Sequence, residues 1–117
     1  MTTIYGIHNC DTIKKALKWL KEKNIEHRFH DYRKEGITQE LLCSFESQVG
    51  WEILLNKRGT TWRKLDDVTK ESINREHAIE LMLESPAMIK RPVLVKDEAI
   101  LVGFKAEQYK TFLRVEE

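Results

Sequence analysis

Between Asp11 and Lys23 the apolar residues Ile13, Ala16, Leu17 and Leu20 recur at helical spacing, while Lys14, Lys15, Lys18 and Lys21 occupy the opposite face. A helix written this way is stable only when its apolar stripe lies on another element. The neighbouring segments read as strands. Residues 2–7 fit a buried strand, and residues 26–32, Glu-His-Arg-Phe-His-Asp-Tyr, alternate weakly as an edge-like strand does. Asn24 offers the helix a stop, and Gly36 closes the loop after the second strand. Strand, helix and strand make a βαβ unit, which directs the chain to the α/β class.

The period changes at Thr38. Leu41, Leu42, Phe45 and Val49 share one helical face, with Thr38 as N-cap and Gly50 as stop. Asn56-Lys57-Arg58-Gly59-Thr60-Thr61-Trp62 reads as a polar loop. Asp66 to Glu84 follows as two helices broken near Asn74 and ended by Ser85-Pro86. Strand signals return at Pro92–Val95 and Ala99–Val102 around Lys96-Asp97-Glu98, a hairpin, and a final helix carries Phe104, Tyr109, Phe112 and Leu113. The expected order is β-α-β, a helical insertion at about 38–88, then β-β-α. Residues 1–117 are read as one domain, without repeats or low-complexity segments.

At 117 residues, such a chain buries roughly two-thirds of the surface exposed when unfolded, enough for a core without staples. Its cysteines, Cys10 and Cys43, are too few for a disulfide framework or structural zinc, and a reducing cytoplasm is the expected setting. A formal charge of +1 supplies no broad field for nucleic acid or an anionic membrane. The Met-Thr-Thr start lacks signal-peptide character, and the longest apolar run, Ala99 to Val102, cannot span a bilayer. The expectation is a soluble, monomeric protein without metal or bound cofactor.

Cys10 falls between the first strand and the helix opening at Asp11-Thr12. Unpaired backbone N–H groups and the positive end of the helix dipole at such a junction favour an anionic sulfur. A cysteine taken at random is a small buried hydrophobe. This one lies on the loop side of a helix whose apolar face begins at Ile13, so the reactive reading leads. Cys43 lies mid-helix beside Leu42 and near Phe45, where packing or partial exposure accounts for it. Because residue 13 is isoleucine, Cys10 has no CxxC partner, and a second thiol must come from outside that motif; the alternative, Cys43 as an internal resolving residue, has no positional support. Glutathione is the natural cytosolic supplier, giving a monothiol cycle through a covalent intermediate.

Arg58 and Arg91 lie in turn-like segments, where a guanidinium either stays solvated or offers two donors to an oxyanion or carboxylate. Pro92 opens a strand, and X-Pro bonds are mostly trans. His8 lies two residues from Cys10, where it either tunes the thiol or faces solvent, and the solvent reading leads. Trp19, Trp51 and Trp62 are read as packing residues.

Four ordered segments carry a resemblance. They are Tyr5-Gly6-Ile7-His8-Asn9-Cys10-Asp11-Thr12 with Lys14-Lys15-Ala16; Arg58-Gly59-Thr60-Thr61-Trp62-Arg63-Lys64-Leu65; Ile89-Lys90-Arg91-Pro92-Val93-Leu94; and Val102-Gly103-Phe104. Together they are similar to the arsenate reductase and Spx family, and within it to the YffB-type branch. The resemblance implies a thioredoxin-like fold with a helical insertion. It places Cys10 as the nucleophile, with Asn9 before it and the Asp11 and Thr12 amides around it. It gives Arg58 and Arg91 as anion-binding arginines and Pro92 as a cis-proline. The family's third arginine is replaced by Lys105, which keeps the charge without the planar fork, and the histidine of the arsenate reductase loop falls near Gly6. These departures bear on arsenate and leave thiol chemistry intact. The implied activity is a glutathione-dependent thiol reductase acting on a small thiol, disulfide or oxyanion. Spx regulators of the same family bind RNA polymerase, which supplies the alternative; Ile13 removes the CxxC switch of their best-known form.

Overall fold

A computed structural model describes residues 2–115. The chain divides into two compact units: one runs to Glu35 and resumes at Arg91, and the other is Gly36–Lys90. The interrupting segment was expected at about 38–88. The elements of the chain are, in order, β1 (Thr2–Gly6), α1 (Asp11–Glu22), β2 (His27–Asp31), α2 (Tyr32–Glu35), α3 (Gln39–Val49), α4 (Trp51–Leu54), α5 (Thr60–Arg63), α6 (Asp67–Glu71), α7 (Arg75–Glu84), a 3-10 turn (Pro86–Met88), β3 (Val93–Lys96), β4 (Ala99–Val102) and α8 (Ala106–Phe112).

The first unit is built on one sheet of order β2-β1-β3-β4. β1 and β2 run parallel, with Ile4 opposite Phe29 and Gly6 opposite Asp31. β3 runs antiparallel to β1, with Ile4 opposite Leu94, and the β3–β4 hairpin pairs Val93 with Val102. The arrangement is the thioredoxin-like one expected from the βαβ and ββα halves. The α1 stripe does what its spacing requires: Ala16 and Leu20 are buried against Ile4, Leu94, Tyr109 and Leu113. Burying one such Leu or Ile contributes roughly 1.5–3 kcal/mol. β2 lies at the sheet edge with a mostly half-exposed pattern, as its polar alternation indicated. Tyr5 on β1, His30 on β2 and Tyr32 at the start of α2 form an aromatic cluster, with Tyr5 and His30 centroids 4.9 Å apart.

The second unit is helical. Thr38 caps α3 by accepting the Leu41 N–H, and Gly50 ends it at a φ of 85°. Asp66 and Asn74 cap α6 and α7 in the same way, accepting from Thr69 and His77. Its core is Leu42, Phe45, Leu54, Ala78, Ile79, Met82, Met88 and Ile89. The unit closes on itself where Lys90 N–H donates to the Leu54 carbonyl and Asn56 N–H to the Met88 carbonyl, around a Leu55–Ile89 bridge.

Several local expectations are corrected. Residues 56–62 are not one polar loop: Thr60–Arg63 turns into α5, and Trp62 is buried. The sequence reading did not foresee α2 and α4. Phe104 precedes α8 and Leu113 follows it as the C-cap. The first strand stops at Gly6, one residue short of the expected end. No helix among the described residues is long and apolar enough to cross a membrane.

Candidate active site

The strand register gathers most candidate residues of the first unit at one end of its sheet. β1 ends at Gly6, and the loop Ile7-His8-Asn9-Cys10 leads straight into α1. Because β2 is parallel to β1, it ends at the same edge with Asp31 opposite Gly6. Because β3 is antiparallel, it begins there, so Arg91 and Pro92 just before Val93 arrive at that edge too. β4 ends there in turn, and Gly103 N–H donates to the Pro92 carbonyl at 2.8 Å, bringing Lys105 within two residues of it. The Arg91-Pro92 bond is cis, as the resemblance implied and the general preference for trans did not.

Cys10 is the N-cap of α1, in extended conformation and half-buried. Its side chain makes no capping hydrogen bond, while its carbonyl accepts the Lys14 N–H at 3.0 Å. The sulfur therefore belongs to the residue from which the helix's unpaired N–H groups, those of Asp11 and Thr12 among them, begin. Asp11 is exposed in that first turn, where its own carboxylate also favours the positive helix end.

Gly6 is the tightest point. A Cβ on it would collide with Ile13 Cδ1, so the absence of a side chain there lets α1 approach the strand end, while Arg91 Cβ would stand at an ordinary contact distance of 3.9 Å. Ile13 is 0% exposed, and the position of a CxxC partner is thus filled by core. Arg91 is half-buried. Its charge is felt at Tyr32, whose phenol burial pushes up strongly, Tyr5 adding to the rise and Arg91 opposing it.

The sequence reading missed one interaction. His8 Nδ1 is hydrogen-bonded to Asp31 Oδ2 at 2.8 Å, and Asp31 Oδ1 accepts the Arg33 N–H at 2.9 Å. Burial of Asp31 raises its carboxyl, but the Arg33 and His8 hydrogen bonds outweigh that and hold it below the usual carboxylate range. His8 is thus anchored rather than simply solvated. Only the parallel pairing brings residue 31 opposite the loop that holds residue 8, and no local pattern shows it.

Arg58 belongs to the second unit. It is exposed between α4 and α5, and its N–H donates to Asn56 Oδ1 at 3.1 Å. Lys57 beside it has its ammonium 6.0 Å from the Trp51 ring centre and 5.5 Å from that of Trp62, so this loop is held by two cation–π contacts. Cys43 is half-buried on α3. Among the described residues no group of three His, Cys, Asp or Glu side chains could hold a metal ion.

Comparison with known proteins is consistent with this architecture. The solved structure of a YffB protein is similar at a TM-score of 0.90 and 47% identity, over 95% of this chain and 97% of that one. An arsenate reductase (ArsC) related protein from Brucella melitensis has a TM-score of 0.81 and 50% identity, over 97% and 94% of the two chains. The global transcriptional regulator Spx of Listeria innocua is 26% identical over 117 residues, covering 97% of this chain and 87% of that protein. The ArsC family model matches residues 5–112, and the chain belongs to the ArsC family.

Proposed function

We propose that the chain is a glutathione-dependent monothiol reductase, with Cys10 as nucleophile, working as a monomer in a reducing cytoplasm. One observation carries the reading: Cys10 opens α1 at the sheet end where Arg91 and the cis Pro92 also arrive, while position 13 is core isoleucine. A thiol at a helix start, an arginine arriving at the same sheet end and no CxxC partner suit a substrate that is anionic and a reductant that is external.

In the cycle, the Cys10 thiolate attacks the disulfide sulfur of a glutathionylated substrate. A Cys10–glutathione disulfide forms and the substrate leaves as a thiolate, which takes up a proton. A glutathione thiolate then attacks the mixed disulfide, releasing oxidised glutathione and returning the Cys10 thiolate. Asp11 and Thr12 N–H groups stabilise the anionic sulfur, and Asn9 shapes the loop before it. Arg91 and Lys105 hold glutathione carboxylates or an oxyanion, with Arg58 as a further anion-binding residue. Arsenate is one candidate oxyanion, a reading supported by the arsenate reductase related protein of Brucella melitensis.

Wild type and Cys10→Ser incubated with oxidised glutathione should differ by a reversible adduct seen in intact mass only on Cys10. Arg91→Ala should raise KM for an anionic substrate about tenfold or more, the loss of a charge-assisted hydrogen bond. Equal turnover in Cys10→Ser would refute the reading. The similarity to Spx supports a second reading, a regulator that binds RNA polymerase; it is distinguished by polymerase binding that survives Cys10→Ser.

A further inference from the structure

Thiol exchange at Cys10 moves two protons that the sulfur of Cys10 does not itself handle. The departing thiolate gains one, and the glutathione thiol that enters must lose one. A thiolate at the start of α1 has the helix N–H groups beside it and needs no histidine base, but thiols arriving from solvent have no such help.

His8 is placed for that task. It lies two residues before Cys10 in the same loop, and its side chain is 59% exposed, so solvent-borne thiols can reach it. Its partner is of the opposite kind: Asp31 is 3% exposed, and both its carboxylate oxygens are occupied, one by His8 and one by the Arg33 N–H. A carboxylate can only accept, so Nδ1 must donate, and the neutral imidazole presents a basic Nε2. One Asp31 oxygen thus receives the first turn of α2 through the Arg33 N–H, and the other is left to fix the His8 ring. The other titratable and charged groups on the elements at this end of the unit include Asp11, Arg91 and Lys105, with Tyr5, His30, Tyr32, Lys34 and Glu35 beside Asp31; His30 and Glu35 face each other at 3.9 Å, and Arg33 touches Asp31 through its backbone.

We propose that Asp31 holds the His8 imidazole so that Nε2 protonates the thiolate leaving on Cys10 attack and then takes the proton of the glutathione thiol that resolves the adduct. This rests on the reductase reading above. The proton balance closes: imidazolium plus leaving thiolate gives imidazole plus thiol, and imidazole plus glutathione gives imidazolium plus the attacking thiolate. His8 is the proton-transfer group, and Asp31 is a positioning residue.

The experiment follows the rate of Cys10 adduct formation with oxidised glutathione from pH 5 to 9 in wild type, His8→Gln and Asp31→Asn. Nitrogen NMR of the His8 ring reads its tautomer. The wild type should give a bell-shaped profile, rising with thiolate and falling as imidazolium is lost, and its neutral His8 should carry the proton on Nδ1. His8→Gln should rise to a plateau and run about tenfold slower at the wild-type optimum. That is less than the usual gain from acid–base catalysis because a thiolate is already a fair leaving group. Asp31→Asn should lose the Nδ1–H preference; if that variant does not fold, the wild-type tautomer and the exposed-site His8→Gln variant decide. Parallel profiles in wild type and His8→Gln, or a proton on Nε2, would overturn the proposal while leaving Cys10 as nucleophile. Absence of any Cys10 adduct in wild type would overturn both.

Discussion

Gly6→Ala tests whether α1 is seated on the strand end as closely as the structure has it. The new Cβ would meet Ile13 Cδ1 inside any possible contact distance and Ile13 Cγ1 at 3.1 Å. Gly6 has no positive φ, so backbone strain plays no part. Overpacking of this kind costs about 1–3 kcal/mol. Reduced freedom of the unfolded chain offsets about 0.4–1 kcal/mol, leaving about 0–2.6 kcal/mol, or a melting point lower by up to roughly 10 °C. The decisive variant is the double one. Ile13→Val removes the colliding Cδ1 and by itself costs about 1 kcal/mol, but in Gly6→Ala it relieves the clash. Urea denaturation of both single variants and the double should therefore show the double less destabilised than the sum by about 1 kcal/mol. Additivity within about 0.5 kcal/mol would mean that the two side chains do not compete for one space, and the account of Gly6 would fail.

Two further outcomes follow from single interactions. Asp31 is held below the ordinary carboxylate range when folded, so its contribution is complete above the unfolded value of about 3.9 and disappears as pH falls through the lower folded value; the acid limb of stability below about pH 4 should be shallower in Asp31→Asn, measured by denaturation across pH 2–6. Lys57→Met removes the charge shared by Trp51 and Trp62 and should cost about 0.5–1 kcal/mol with a change in tryptophan emission, whereas unchanged emission would mean that the ammonium is not on those rings.

What the residues disclosed depended on how local the cause was. The lysine-backed stripe of α1, the Thr38 and Gly50 caps of α3 and the Asn74 break are written within a few positions, and the structure follows them closely. The polar alternation of 26–32 marked an edge strand correctly because exposure is imprinted on composition. The four-residue helices α4 and α5 complete barely one turn, too short for a period to show, and Trp62 is buried in a segment that reads as polar. The convergence of Arg91, Lys105 and Cys10 on one sheet end, and the His8–Asp31 bond, follow from strand direction and register, which no single segment contains. The isomer at Arg91-Pro92 came from a whole-motif resemblance rather than from the two residues themselves.

The sheet's central seam joins Thr2–Tyr5 to residues 93–96, almost the full length of the chain apart. During synthesis, then, β1, α1 and β2 leave the ribosome long before β3 exists. The inner edge of β1 must wait unpaired while the whole helical segment is made, a segment that can close through Leu55 and Ile89 without help from the sheet. An unpaired strand edge with Ile4 on it is a template for association with other chains. Nascent chains halted near Lys90 should therefore be the aggregation-prone species of this protein, and full-length chains should escape once the last hairpin emerges.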